Sequence, residues 1–425
     1  MTINQTTLAN GLRIITADIA DARSLTANIV VGTGSRYEDF GRNGGVSHFL
    51  EHLLFKGSAK YPTAEDIAVA VDAVGGYNNA YTSEDITSYY IKVPSIHGEL
   101  ALDILADMMR SPLMDPAEVD RERGVIIEEM NVYRDDPARF VGTLVPSLIF
   151  PDNPLGCDII GSEQVINNIP VADIVAYQKH HYQPRNMVVA VAGKVDHAAV
   201  VAQLQAALGD LESSEPDVAV TPNSELASDL AVVQAKPTAQ AHFIVAARAY
   251  AFGHPDDRAA HVLSAILGRG MSSRLFLNVR ERQGLAYTVY SEINGYVDSG
   301  IFQAYAGVNL DKIDQALTSV LHELETVRTQ DVTAAELDKA KQQLRAGLEM
   351  SLESNNAVAD RLGSQLVLMG EVKPVDQVIA EIEAVTIHDV RRVAEDLLAP
   401  NKLRFAIIAP EPEAAAEHFK AVITQ

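Results

Sequence analysis

The chain has 425 residues, 47% of them hydrophobic, and a formal net charge of −23. That length predicts about two to four domains with apolar content enough for sizeable cores. The acidic balance excludes a nucleic-acid binder, which needs clustered Lys and Arg, and it suits basic peptide partners through electrostatic steering.

A single cysteine, Cys157, rules out an intramolecular disulfide and fits a reducing compartment. Residues 1–8 carry neither the basic nor the long apolar region of a signal peptide. No stretch approaches the roughly 20 apolar residues of a membrane span. A cytoplasmic location away from membranes is expected.

In chain order, residues 6–16 read as a hairpin, with Asn10-Gly11 as the turn dipeptide ahead of the Leu12-Arg13-Ile14-Ile15 run. Residues 27–31 form a second strand. A glycine-spaced loop then leads into Gly44-Gly45-Val46-Ser47-His48-Phe49-Leu50-Glu51-His52-Leu53-Leu54-Phe55. At about 100° per residue, His48 and His52 of a helix point roughly 40° apart, so their imidazoles can converge on one ion. Val46, Phe49, Leu50 and Leu53 fill the opposite arc and anchor the helix in a core. Two neutral imidazoles, one further anionic ligand and an open position make a catalytic zinc site, and His-x-x-Glu-His is the inverted zinc-protease motif. The alternative is a buried helix with two satisfied histidines, so a third ligand is required to decide.

Thr63-Ala64-Glu65-Asp66 resembles a capping box, opening a helix that ends at Gly75-Gly76. Residues 77–81 and 86–93 read as strands, and Ser95 caps a helix through Met109. Asp115-Pro116-Ala117-Glu118 opens the next helix. Its apolar stripe is Val119, Ile126, Met130 and Tyr133; Glu122 and Glu129 fall on that stripe, whereas Glu128 and Arg123 fall opposite. Carboxylates on a buried face are costly unless paired or metal-bound. Glu129 and Glu122 are therefore candidates for the third ligand and a supporting carboxylate, with salt bridges to buried arginines as the competing explanation.

Residues 188–193 form another apolar strand, and the Ser-, Pro- and Thr-containing stretch that follows reads as a linker. It divides the chain almost in half, and a faint repeat spans it. Asp173, Pro184 and Ala190 align with Asp389, Pro400 and Ala406 at one offset of 216, and residues 86–93 match 301–308 at 215. The expected fold class is α+β: two similar domains, each a largely antiparallel sheet flanked by helices, with residues 1–214 as the zinc-binding domain, 215–232 as linker and 233–425 as the homologous second domain. The second half lacks the histidine motif. Residues 267–290 there read as a helix N-terminus, a helix and a strand, with Arg280 and Tyr287 at its surface.

Together these segments resemble the pitrilysin-type metallopeptidases, closest to the mitochondrial processing peptidase branch and its bacterial relatives. In that family a glutamate 77 positions after the second histidine completes the metal site, which falls on Glu129; a second glutamate seven residues earlier falls on Glu122. The resemblance implies Zn²⁺ held by His48, His52 and Glu129, with Glu51 as general base and Glu122 as supporting carboxylate. It also implies a peptide substrate at the edge strand near Asn79 and Ala80, and the Arg280/Tyr287 pair as part of the catalytic set. Short members pair as clam-like shells, so a homodimer acting on unfolded peptides is expected. Some relatives split the zinc motif and the Arg/Tyr pair between unlike subunits, and others are non-catalytic assembly subunits; here all these residues sit in one chain. The Gly268-Arg269-Gly270 loop is less glycine-rich than that of the non-catalytic mitochondrial subunit, which argues against presequence specificity in the mitochondrial manner.

Overall fold

The computed structural model describes residues 1–424. The strands are β1 (Thr2–Thr7), β2 (Arg13–Asp18), β3 (Ser24–Val31), β4 (Tyr77–Thr82), β5 (Thr87–Pro94), β6 (Met187–Gly193), β7 (Ala231–Ala235), β8 (Gln240–Ala249), β9 (Ala286–Gly295), β10 (Gly300–Asn309) and β11 (Arg404–Ala409). The helices that carry the argument are α1 (Val46–Leu54), α2 (Gly98–Arg110), α3 (Pro116–Asp135), α4 (Val171–His181), α5 (His197–Leu208), α6 (Asp257–Gly268), α7 (Ile313–Thr329), α8 (Asn355–Met369), α9 (Ile387–Leu397) and α10 (Glu413–Ile423).

Two compact units share the chain in an interleaved way. The first holds residues 1–130, 157–220 and 349–373; the second holds 131–156, 221–348 and 374–425. In the first unit a six-stranded sheet runs β1-β2-β6-β3-β5-β4, antiparallel except where β2 meets β6. Strand side chains alternate between faces. Ile14, Ala27, Ile29, Val31, Val189 and Val191 point to one core, where they meet Phe49, Leu50 and Leu53 of α1, Leu102 and Leu105 of α2 and Ile126 of α3. Their sequence neighbours Ile15, Ala17, Val188, Ala190 and Ala192 point to the other face, which is covered by Val358, Ala359, Leu362 and Leu366 of α8. That helix approaches closely at Gly363, where a Cβ would come within 2.6 Å of Val30 Cγ2.

The second unit repeats the plan with the order β7-β11-β8-β10-β9. Phe243, Val245, Phe302, Ala304, Phe405 and Ile407 face α6, α7, α9 and α10. Ile244, Ala246, Ile301, Tyr305, Ala406 and Ile408 face Val141, Val145, Ile149 and Phe150 from the 131–156 segment. The faint repeat has a structural counterpart: α4, the turn Pro184–Asn186 and β6 recur at an offset of 216 as α9, the turn Pro400–Lys402 and β11.

Several local expectations hold. The Asn10-Gly11 turn joins β1 to β2, with Gly11 at φ +92. Thr63 and Asp66 form a reciprocal capping box on the helix Ala64–Asp72. Others shift. Ser95 opens a short 3₁₀ turn before α2. Tyr133 lies 38% exposed, off the buried stripe of α3. Arg123 does not point to solvent: it donates to the Ile166 and Ile169 carbonyls and lies over the Phe49 ring, 5.7 Å from its centroid. A guanidinium can cap free carbonyls of a neighbouring helix while its stem packs on an aromatic face.

Candidate metal centre

The site is assembled from α1, α3 and β4. α1 starts at Gly45, whose φ of +92 and a Cβ position 2.5 Å from the Ile160 carbonyl oxygen exclude a side chain. Its free N-terminal amides are met by Glu38, whose carboxylate accepts from Gly45 N at 2.6 Å and Ser47 N at 2.7 Å. Val46, Phe49, Leu50 and Leu53 are buried as the amphipathic pattern predicts, which turns His48 and His52 to the same side. Their rings lie 4.8 Å apart, centroid to centroid, and 61° to one another.

On α3, Val119, Ile126 and Met130 anchor the helix, Glu122 is 2% exposed and Glu128 is exposed. Glu129 Oε2 stands 3.6 Å from His48 Nε2 and 3.3 Å from His52 Nε2. The ligand atoms of His48, His52 and Glu129 all fall within 4.8 Å of one another. An ion with ~2.0–2.1 Å bonds in tetrahedral geometry spaces its ligands by about 3.3 Å, so the donor set fits such an ion with little movement. Glu122 Oε2 accepts from His52 Nδ1 at 3.1 Å, which fixes the tautomer that leaves Nε2 toward Glu129. Its other oxygen meets Lys56 Nζ at 2.5 Å. The His48 Nδ1, by contrast, is buried without a partner among the described residues.

The electrostatics are those of a preformed cation site. Burial lowers the His52 pKa, but the hydrogen bonds that it donates to Glu122 and Glu129 outweigh this and lift the imidazole to about 9. Glu129 is held well below the usual carboxylate range by its hydrogen bonds to His48 and His52. Burial favours the neutral form of Glu122, yet His52 and Lys56 together pull its pKa down. Glu51, half-buried between the histidines in sequence, accepts a 2.6 Å hydrogen bond from Thr82 Oγ1 of β4.

Among the described residues β4 is the outer strand of its sheet and pairs with β5 alone, which places Asn79 opposite Tyr90 and Ala80 opposite Tyr89. The Ala80 N–H is met locally by Asn79 Oδ1 at 2.9 Å. Arg280 and Tyr287 belong to the second unit. The expected helix is a π-helical turn, Phe276–Arg282, which carries Arg280; Gly284 at φ +59 follows, and then β9, which carries Tyr287. The Arg280 guanidinium carbon lies 4.7 Å from the Phe276 ring centroid and 5.4 Å from that of Tyr287, and Tyr287 is 72% exposed. Sequence reasoning missed Glu38, Lys56 and Thr82. For Glu38 the signal was an acid seven residues ahead of a glycine helix start; for Lys56, its place four residues after His52, in the turn that follows α1.

Comparison with known proteins agrees with this architecture. The family model described as Insulinase (Peptidase family M16) matches residues 13–163, and that described as Peptidase M16 inactive domain matches 168–344. An uncharacterized zinc protease of Streptomyces coelicolor is 39% identical over 96% of this chain and 90% of its own length. An uncharacterized zinc protease of Bacillus subtilis is 34% identical over 96% and 98%. Among solved structures, a protease from Helicobacter pylori superposes with a TM-score of 0.89 at 26% identity, covering 96% of this chain and 99% of that one. The fold is thus that of a metallopeptidase class built from paired α+β units. The chain belongs to peptidase family M16, the pitrilysin type.

Proposed function

We propose that this protein is a zinc-dependent endopeptidase acting on unfolded peptides. The observation that carries the reading is the meeting of His48, His52 and Glu129 ligand atoms within 4.8 Å, beside a glutamate held by Thr82. The donor chemistry, two imidazoles and a carboxylate, is that of catalytic zinc, and the relatives are named zinc proteases. When bound there, zinc supplies a Lewis acid that brings the pKa of a water toward neutrality. His48 Nε2, His52 Nε2 and Glu129 Oε2 hold it. Glu122 keeps His52 in the ligating tautomer, and Lys56 keeps Glu122 ionised. Glu51 takes the proton from the attacking water and returns it to the leaving amine, with Thr82 fixing the carboxylate it uses.

The peptide adds beside β4 near Asn79 and Ala80. Main-chain pairing of that kind gives affinity with little sequence preference. Arg280 and Tyr287 stabilise the tetrahedral oxygen anion. In keeping with the short members of the family, we infer a homodimer in which these two residues serve the metal centre of the partner chain. The absence of a helix long and apolar enough to cross a membrane among the described residues is compatible with the cytoplasmic setting inferred for it.

The test is Glu51→Gln. It should retain zinc and lose cleavage of a quenched peptide; undiminished turnover removes Glu51 from the base role. Mixing Glu51→Gln with Tyr287→Phe protein should restore activity through heterodimers carrying one intact site, and no recovery counts against the shared arrangement.

A further inference from the structure

A second group of ligating side chains lies in the first unit, at the C-terminal end of α4. His180, His181 and Asp217 each offer one ligand atom, all within 4.8 Å of one another. None of the three takes part in the centre described above. We propose that they form a second divalent transition-metal site, which clamps the irregular stretch after residue 211 to the end of α4.

The three residues differ in how firmly they are held. His181 is 6% exposed. Its ring packs 4.1 Å from Tyr177 and 6.1 Å from Tyr37, centroid to centroid. Its Nδ1 lies 3.3 Å from Thr33 Oγ1. Asn186 Nδ2 donates both to Thr33 Oγ1 at 2.8 Å and to the His181 carbonyl at 2.9 Å. With Nδ1 committed to a buried hydroxyl, Nε2 is the free nitrogen, and a partner on the other ring nitrogen is what orients a ligating histidine. His180 stacks edge-on against His181 at 4.7 Å and 82°. Its Nε2 approaches Asp217 Oδ2 to 2.9 Å, close to the about 3.3 Å edge of a small tetrahedral site.

So one histidine is anchored in the interior, while the other and the aspartate are exposed and able to close on an ion. Two imidazoles and one carboxylate select Zn²⁺, Co²⁺ or Ni²⁺ over Mg²⁺ or Ca²⁺. The solvent side leaves a position for water. As an ion pair alone, His180 and Asp217 would contribute little at this exposure and would leave His181 Nε2 unused.

The experiment titrates the full chain, stripped of metal with a chelator, with Zn²⁺ and counts bound equivalents by equilibrium dialysis. Wild type should bind about two equivalents per chain. The double variant His180→Gln, Asp217→Asn should bind one fewer, while His52→Ala should lose the other equivalent and keep this one. Equal zinc content in wild type and the double variant overturns the proposal. Digestion with a Glu-specific protease gives a second readout: excess Zn²⁺ should slow cleavage after Glu212 and Glu215 in wild type and in His52→Ala, but not in the double variant. Unchanged cleavage in wild type overturns the clamping role. Because both readouts ignore turnover, failure of the peptidase reading leaves this result separately legible.

Discussion

Lys56 Nζ and Glu122 Oε1 meet at 2.5 Å, while the other oxygen of the same carboxylate takes the Nδ1–H of His52. A cation in the turn just after α1, together with His52, therefore favours the charged form of the carboxylate that holds His52, the residue proposed above as a ligand. Removing either partner should weaken metal binding without touching a ligand. For Glu122→Gln we expect zinc affinity to fall about 10–100-fold, and for Lys56→Met about tenfold, the usual range for groups that orient ligands. Competition with a chromophoric chelator measures it. Wild-type affinity in both variants would mean that His52 needs no such support.

Thr82 and Glu51 give a different signature. Their 2.6 Å hydrogen bond involves no metal ligand, so Thr82→Val should keep the zinc content and lower kcat. A hydrogen bond to a charged group is worth ~1.5–3 kcal/mol, which corresponds to about 10–100-fold in rate. KM should move little, since the hydroxyl contacts Glu51 and not the proposed peptide track. A rise in KM with kcat intact would instead assign Thr82 to substrate binding.

How much of this was legible beforehand differs by residue. The His48/His52 pair could be placed because helix geometry alone brings positions four apart to one side. The apolar stripe of α3 marked Glu122 and Glu129 together as carboxylates that need compensation, and it was the family resemblance, a glutamate 77 positions after the second histidine, that chose Glu129 between them. Thr82 could not be placed. Its partner, 31 residues away, is reached through a strand edge whose path no local pattern encodes. The interleaving of the units was hidden for a related reason. One crossing, between Val220 and Thr221, falls in the polar linker, but those at 130/131 and 348/349 run through the interiors of helices, where composition carries no boundary signal. Arg123 was misplaced because its helical position says nothing of the Ile166 and Ile169 carbonyls that it reaches.

Glu38 makes stability depend on pH. Burial lifts its pKa from 4.5 to about 8, against the opposing pull of the Ser47 and Gly45 amides. A carboxyl whose folded pKa exceeds its unfolded value binds its proton more tightly when folded. Its contribution is complete below about 4.5 and is lost as pH rises through about 8, with a slope of up to ~1.4 kcal/mol per pH unit between. Urea unfolding at pH 5, 6.5 and 8 should show that decline, and Glu38→Gln should remove it, so that the gap between the variant and wild type narrows as pH rises. A slope unchanged by the substitution would place the titrating group elsewhere.

The edge strand can be probed through Ala80. Its N–H is met by the side chain of its own neighbour, Asn79, which leaves a donor that an added peptide strand can take over. Ala80→Pro removes that N–H, and proline is tolerated on edge strands, so the fold should survive. kcat/KM for an extended peptide should drop by about tenfold, as expected for one lost main-chain hydrogen bond, with zinc content unchanged. Should kcat/KM stay level, the peptide does not pair at this position.

The interleaved chain predicts how halves behave. On the first sheet, Ile15, Ala17, Val188, Ala190 and Ala192 are fully or almost fully buried against Val358, Ala359, Leu362 and Leu366 of α8. A fragment ending at residue 214 keeps the whole metal-site motif but loses that cover. Five apolar side chains returned to water cost about 1 kcal/mol or more each, comparable to the 5–15 kcal/mol stability of a typical domain. The fragment should therefore bind a hydrophobic dye and lack near-ultraviolet circular dichroism. Supplying residues 349–373 through a flexible linker should restore cooperative unfolding, because α8 packs on that sheet wherever the chain delivers it. A fragment that melts cooperatively without the added helix would show that the covered face contributes little.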